Sequence, residues 1–216
     1  MSPRTLDLAG LADELAAGQG PARRIVAVAG APGSGKSSFA ERLVRALEGR
    51  VAAAVLPMDG FHYDDAVLEA RGHRPRKGAP HTFDVDGLAA LLARLAADDG
   101  REVAVPVFDR AIEIARAGAR IIGPETRLVV AEGNYLLLDD PAWAPLRRLF
   151  DVTVFLDVPE PVLERRLRAR WAGYGLTAEA TRAKLEENDL PNARRVAGAS
   201  VPADVVIPNV GRRDGR

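Results

Sequence analysis

Short, unbroken apolar runs alternate with amphipathic stretches along this chain. Runs at 25–29, 51–57, 127–131, 152–156 and 204–208 read as strands buried on both faces. Between them, Phe39, Leu43, Val44 and Leu47 recur at helical spacing until Gly49. Leu88, Leu91, Leu92 and Leu95 do the same within 84–97, with Asp84 or Asp86 as the N-cap. Residues 103–108 predict a short edge strand, because Pro106 would break a central ladder. A short helix follows Pro141, and Pro159 opens a longer one. Residues 177–187 predict a helix capped by Thr177, broken by Pro191 before a further helix. The stretch 64–82 reads as irregular, and residues 1–20 as a short amphipathic helix ended by Gly18. Five strands alternating with helices predict an α/β fold, a parallel sheet flanked by helices, formed by one domain over 1–216.

Composition narrows the classes of partner. Lys plus Arg equals Asp plus Glu at 30 each, so the net charge is zero and there is no general attraction to nucleic acid or to an anionic membrane. There is no cysteine, which excludes disulfides and thiolate chemistry and fits a cytoplasmic protein. The beginning of the chain lacks the apolar region of a signal peptide, and no run is long enough to span a bilayer. A homodimer is left open.

The candidate chemistry starts just after the first strand. Gly30, Ala31, Pro32, Gly33, Ser34, Gly35, Lys36 and Ser37 fit the phosphate-binding pattern G-x-x-x-x-G-K-[ST], with Ser38 next and a helix following. Glycines let the backbone curl so that successive N–H groups face one anion at the start of a helix. Lys36 is placed to reach β- and γ-phosphates, and Ser37 to be a ligand of Mg²⁺. Glu132 ends the strand at 127–131, where such enzymes hold Mg²⁺ or its water shell; the plainer alternative is a strand-end carboxylate paired with a lysine.

Six stretches in this order resemble one family: GAPGSGKSS, PMDGFHYDD, RKGAPHTFDVDGL, VVAEGNYLLLD, the arginine-rich helix around 163–170, and ADVVIP. The chain resembles the uridine kinase, phosphoribulokinase and pantothenate kinase superfamily of phosphate-loop (P-loop NTPase) kinases, and is most similar to its bacterial sugar-kinase-like members, the proposed fructose transport system kinases. The resemblance implies a five-stranded parallel sheet, a helical lid over about 165–195, and ATP and Mg²⁺ as cofactors. It also implies Asp59 as the base that takes the proton of the attacking hydroxyl, with a turn or capping role as its alternative and His62, Asp64 and Asp65 as rivals. Arg166 and Arg170 resemble lid arginines that clamp the transferring phosphoryl group, although a solvated helix face would use the same residues. Phe83 and Asp84 match a pair that holds ribose hydroxyls, Asp84 being equally a helix cap.

The acceptor is less defined. Phe108 and Asp109 follow the family, but Glu113 stands where uridine kinases carry histidine, and an ionised carboxylate cannot donate to a pyrimidine carbonyl. Asp84, Asp109 and Glu113 together suit a polyhydroxylated ligand. Arg71, His73, Arg74, Arg76 and Lys77 would instead suit an anionic group, with Lys77 the best single candidate, or be a solvated loop. The expectation is therefore a kinase acting on a hydroxyl of a small molecule, a fructose-like sugar before a nucleoside or pantothenate. A nucleotide-hydrolysing switch ranks below these, since its Asn-Lys-x-Asp motif is missing.

Overall fold

The structure, a computed structural model, describes residues 3–18, 20 and 22–210. In chain order the elements are β1 (Arg4–Thr5), α1 (Leu8–Ala17), β2 (Arg24–Gly30), α2 (Lys36–Leu47), β3 (Ala53–Pro57), α3 (Asp65–Ala70), α4 (Val85–Ala96), β4 (Val103–Asp109), β5 (Ile114–Ile122), β6 (Leu128–Gly133), β7 (Val152–Asp157), α5 (Glu160–Gly173), α6 (Ala178–Lys184), α7 (Leu190–Ala199) and β8 (Val205–Pro208). The main sheet is parallel throughout, in the order β1-β8-β7-β2-β6-β3. Among the described residues it has six strands rather than five. The extra one, β1, is two residues long and exposed, so no apolar run announces it.

β2 shows why a central strand is apolar throughout. Ile25, Ala27 and Ala29 face a core built with the α4 leucines, Tyr135 and Trp143, while Val26 and Val28 face a second core with α1, Phe39, Leu43 and Leu47 of α2. Successive side chains point to opposite faces, and both faces are covered by helices. The N-terminal helix forms as its pattern predicts: Asp7 caps it through the Gly10 N–H at 2.8 Å, and the Gly18 N–H closes on the Glu14 carbonyl.

Three expectations need correction. Residues 64–82 are not irregular, since α3 occupies Asp65–Ala70 behind its Asp64 cap and two 3₁₀ turns follow. β4 is not an edge of the main sheet. It pairs with β5 in a separate antiparallel hairpin, and Pro106 sits at the register shift between Val105 and Val107, where a missing N–H costs least. Pro191 does not break the helical arm either. A π-turn at Leu185–Asp189 joins α6 to α7 and leaves Pro191 in the first turn of α7, where no intrahelical N–H is needed.

Candidate active site

Strand order brings the chemistry together. β6 lies between β2 and β3, with Glu132 in register with Val28 on one side and Pro57 on the other. The carboxyl ends of these strands carry the Gly30–Ser37 loop, Glu132, and the 3₁₀ turn Met58–Phe61 with Asp59. They open into a cavity of about 570 Å³.

The loop has the conformation its glycines permit. Gly33 and Gly35 take φ of +80° and +86°, a left-handed region that a Cβ would strain, and Gly35 is the N-cap of α2. Pro32, Gly33, Gly35, Lys36, Ser37 and Ser38 line the cavity, while Gly30, Ala31 and Ser34 lie buried beneath it. Ser34 Oγ is buried with no hydrogen-bond partner among the described residues. The Lys36 ammonium donates to the Ala31 carbonyl at 3.1 Å. Burial lowers Lys36 to about 8, against the opposing pull of Glu132 and Asp59.

Ser37 Oγ donates to Glu132 Oε1 at 3.0 Å. Burial, with the Asp59 charge second, raises Glu132 to about 7. A hydroxyl beside a carboxylate is a set of hard oxygen donors, and a carboxylate held in so unfavourable a place is one that a cation would relieve. The residues fit Mg²⁺ on that ground.

Asp59 is half-buried and hydrogen-bonded by Arg110 from the tip of the β4–β5 hairpin. Burial works to raise its carboxyl, but His62, Arg110, Lys36 and Arg170 outweigh it and hold it below the usual range. His62 is itself lowered, chiefly by burial, so at neutral pH the pull that persists on Asp59 comes from Arg110, Arg170 and the charged form of Lys36. The His62 ring lies between Phe83 and Phe108, with centroids 4.1 and 4.8 Å away, and its Nδ1 meets the Asp59 carbonyl at 2.8 Å.

Arg166 and Arg170 both reach the cavity from α5. Arg166 donates to the Asn209 carbonyl at 2.8 Å and Arg170 lies over the Trp171 ring, whereas Arg168 turns outward to Glu164. On the opposite wall, Lys77 donates to Asp65 at 2.6 Å and to the Glu113 carbonyl at 2.8 Å. Phe83, Phe108 and Glu113 line the same space, Glu113 with φ of +55°, uncommon for a residue with a side chain.

Two of the expected acceptor residues are elsewhere. Asp84 caps α4 through the Gly87 N–H at 3.0 Å, and Asp109 accepts from the Ala111 N–H at 3.0 Å and faces Arg116. Each carboxylate satisfies a turn, and neither lines the cavity. The polar pocket of three carboxylates thus shrinks to Glu113. Sequence reasoning also passed over Arg110 and the π-turn residues Asn188 and Asp189, which line the cavity together with Asn192. Asn188 donates to the Lys77 carbonyl at 2.9 Å, Asn192 to Asn188 at 3.1 Å, and Trp171 to Asp189 at 2.7 Å. The available signal was Asn188, Asp189 and Asn192 grouped around Pro191 within a stretch of helical pattern.

A model of the phosphoribulokinase / uridine kinase family matches residues 25–214. The crystal structure described as a "putative fructose transport system kinase" from Silicibacter sp. TM1040 is 45% identical, with a TM-score of 0.89 over 94% of this chain and 100% of that one. A protein of Schizosaccharomyces pombe named as a putative uridine kinase is 34% identical over 86% of this chain and 83% of its own. The uncharacterised protein YggC of Escherichia coli K12 is 36% identical over 86% of this chain and 77% of its own.

Proposed function

The chain belongs to the phosphoribulokinase / uridine kinase family and is a phosphotransferase, and on that footing we propose that it moves the γ-phosphate of ATP to a hydroxyl of a small sugar of the fructose class. One observation carries the reading: the phosphate loop, Glu132 and Asp59 meet at one end of a cavity whose other walls are Phe83, Phe108, Lys77 and Glu113.

The N–H groups of the loop and Lys36 hold the triphosphate. Ser37 and Glu132 would hold Mg²⁺, which when bound neutralises charge on the phosphoryl oxygens. Asp59 takes the proton as the acceptor oxygen bonds to the γ-phosphorus. The bond from that phosphorus to the β,γ-bridging oxygen breaks, and ADP leaves with the electron pair. Arg166 and Arg170 stabilise the charge spread over the transferring group, and α6 with its π-turn forms the lid that excludes water. Phe83 and Phe108 offer apolar faces to a sugar ring, and Glu113 accepts from its hydroxyls.

A second reading has its own observation. Arg74, Lys77 and Arg110 line the cavity, which favours an anionic acceptor such as a sugar phosphate or pantothenate over a neutral one. ADP formation from Mg²⁺-ATP, screened against fructose, other sugars, sugar phosphates, nucleosides and pantothenate, separates these. Stimulation by a sugar supports the main reading. ATP hydrolysis that no acceptor stimulates would replace it with a nucleotide-hydrolysing switch.

A further inference from the structure

One contact in the cavity works against the proposed chemistry as it stands. Asp59 Oδ2 accepts from Arg110 Nη2, so the carboxylate that should receive the acceptor's proton already shares its charge with a guanidinium. A half-exposed ion pair does little for stability, so this one calls for another reason.

The two ends of Arg110 differ in freedom. Its head makes no other hydrogen bond among the described residues, stands 5.4 Å from the centroid of the Phe108 ring, and belongs to a side chain that is 39% exposed. The strand that leads to it is held, because β4 closes directly on the turn that carries Asp59: a Cβ on Gly60 would stand 2.4 Å from the Pro106 carbonyl oxygen. A strand packed on the turn therefore presents to Asp59 a cation that few other contacts restrain.

We propose that Arg110 is a positioning residue that keeps Asp59 engaged until an acceptor draws the guanidinium away, so that water arriving with ATP alone is not activated. This rests on Asp59 as the base. The guarded reaction is hydrolysis: a water oxygen bonds to the γ-phosphorus, the bond to the β,γ-bridging oxygen breaks, ADP leaves with the electron pair, and the water proton passes to Asp59. With Arg110 in place, the carboxylate is a poor proton acceptor. An acceptor rich in oxygen atoms brings its hydroxyl and a new partner for Arg110 together, so the base is released only when transfer can follow.

The test is ADP release from Mg²⁺-ATP without acceptor, for the wild type, Arg110→Gln, Arg110→Met, Arg110→Lys, Asp59→Asn and Arg110→Gln combined with Asp59→Asn, with thermal melting to identify folded variants. Either uncharged replacement should hydrolyse ATP about tenfold faster than the wild type or more. Arg110→Lys should stay near the wild type, and the double variant should fall to the rate of Asp59→Asn alone. An unchanged or slower rate in a folded uncharged variant overturns the proposal, and so does a double variant as fast as Arg110→Gln. Because ATP and water are the only reactants, failure of every sugar in the acceptor screen would remove the sugar reading and leave this result to be read by itself.

Discussion

The Ser37 hydroxyl and the Glu132 carboxylate are hydrogen-bonded at 3.0 Å, which ties the first turn of α2 to the end of β6 before any ligand arrives. The bond satisfies one lone pair of a carboxylate that is only 6% exposed and lies within reach of the Asp59 charge. The site is thus assembled in advance, at a cost in stability that a bound cation would offset.

That cost has a pH signature. Glu132 is raised from 4.5 to about 7, so the folded protein keeps a proton that the unfolded chain has already released. Its contribution to stability is present below about 4.5 and is lost as pH rises to about 7. Glu132→Gln should flatten this part of the stability profile and, at pH 8, raise Tm by a few degrees, about the effect of 1–2 kcal/mol in a chain of this size. Chemical and thermal denaturation at pH 5 and pH 8 would show it. An identical pH slope in variant and wild type would remove Glu132 as the source.

Asp59→Asn keeps the shape of the side chain and loses its ability to take a proton. Turnover with a working acceptor should fall by roughly 10² to 10⁴, with little change in KM for ATP. Steady-state kinetics decide, and a variant near wild-type turnover passes the role to another group.

Lys36→Met exchanges a buried ammonium for an apolar chain of similar length. Phosphoryl transfer should disappear, while Tm holds or rises, since burial already lowers Lys36 to about 8. Full activity would defeat the assignment of the phosphate loop.

Gly60→Ala forces a methyl group against backbone atoms of Pro106, the nearest at 2.4 Å. Overpacking of this kind costs about 1–3 kcal/mol. The expected result is a lower Tm together with slower transfer, because the hairpin that carries Arg110 and Phe108 must retreat from Asp59. A variant as stable as the wild type would mean that the hairpin floats over the turn.

How much of this was legible beforehand depends on whether the signal was local. The phosphate loop and the capped α1 are local: each is written within about ten consecutive residues. Asp84, read equally as a helix cap, takes that role, and Asp109 serves a turn; a carboxylate before a turn has the same local signature whether it meets a ligand or a backbone N–H. The β5 strand was hidden because alanines and glycine fill much of Ile114–Ile122 and its faces are mostly exposed, so no buried run marks it. Arg110 could not be found without β5, because only the hairpin carries it back to a turn 51 residues earlier. The π-turn was missed because Pro191 reads as a helix break, and a π register absorbs it without one.

The same π-turn gives the acceptor wall borrowed rigidity. Asn188 holds the Lys77 carbonyl, Arg76 holds the Glu187 carbonyl, and Tyr135 holds the next carbonyl, that of Gly78, from the main body. Two of these three moorings belong to the helical arm. Without the arm, that stretch of wall would keep Tyr135 and the Lys77 contacts with Asp65 and Glu113 but lose both backbone anchors the arm supplies, so the position of the arm and the firmness of the wall are one property.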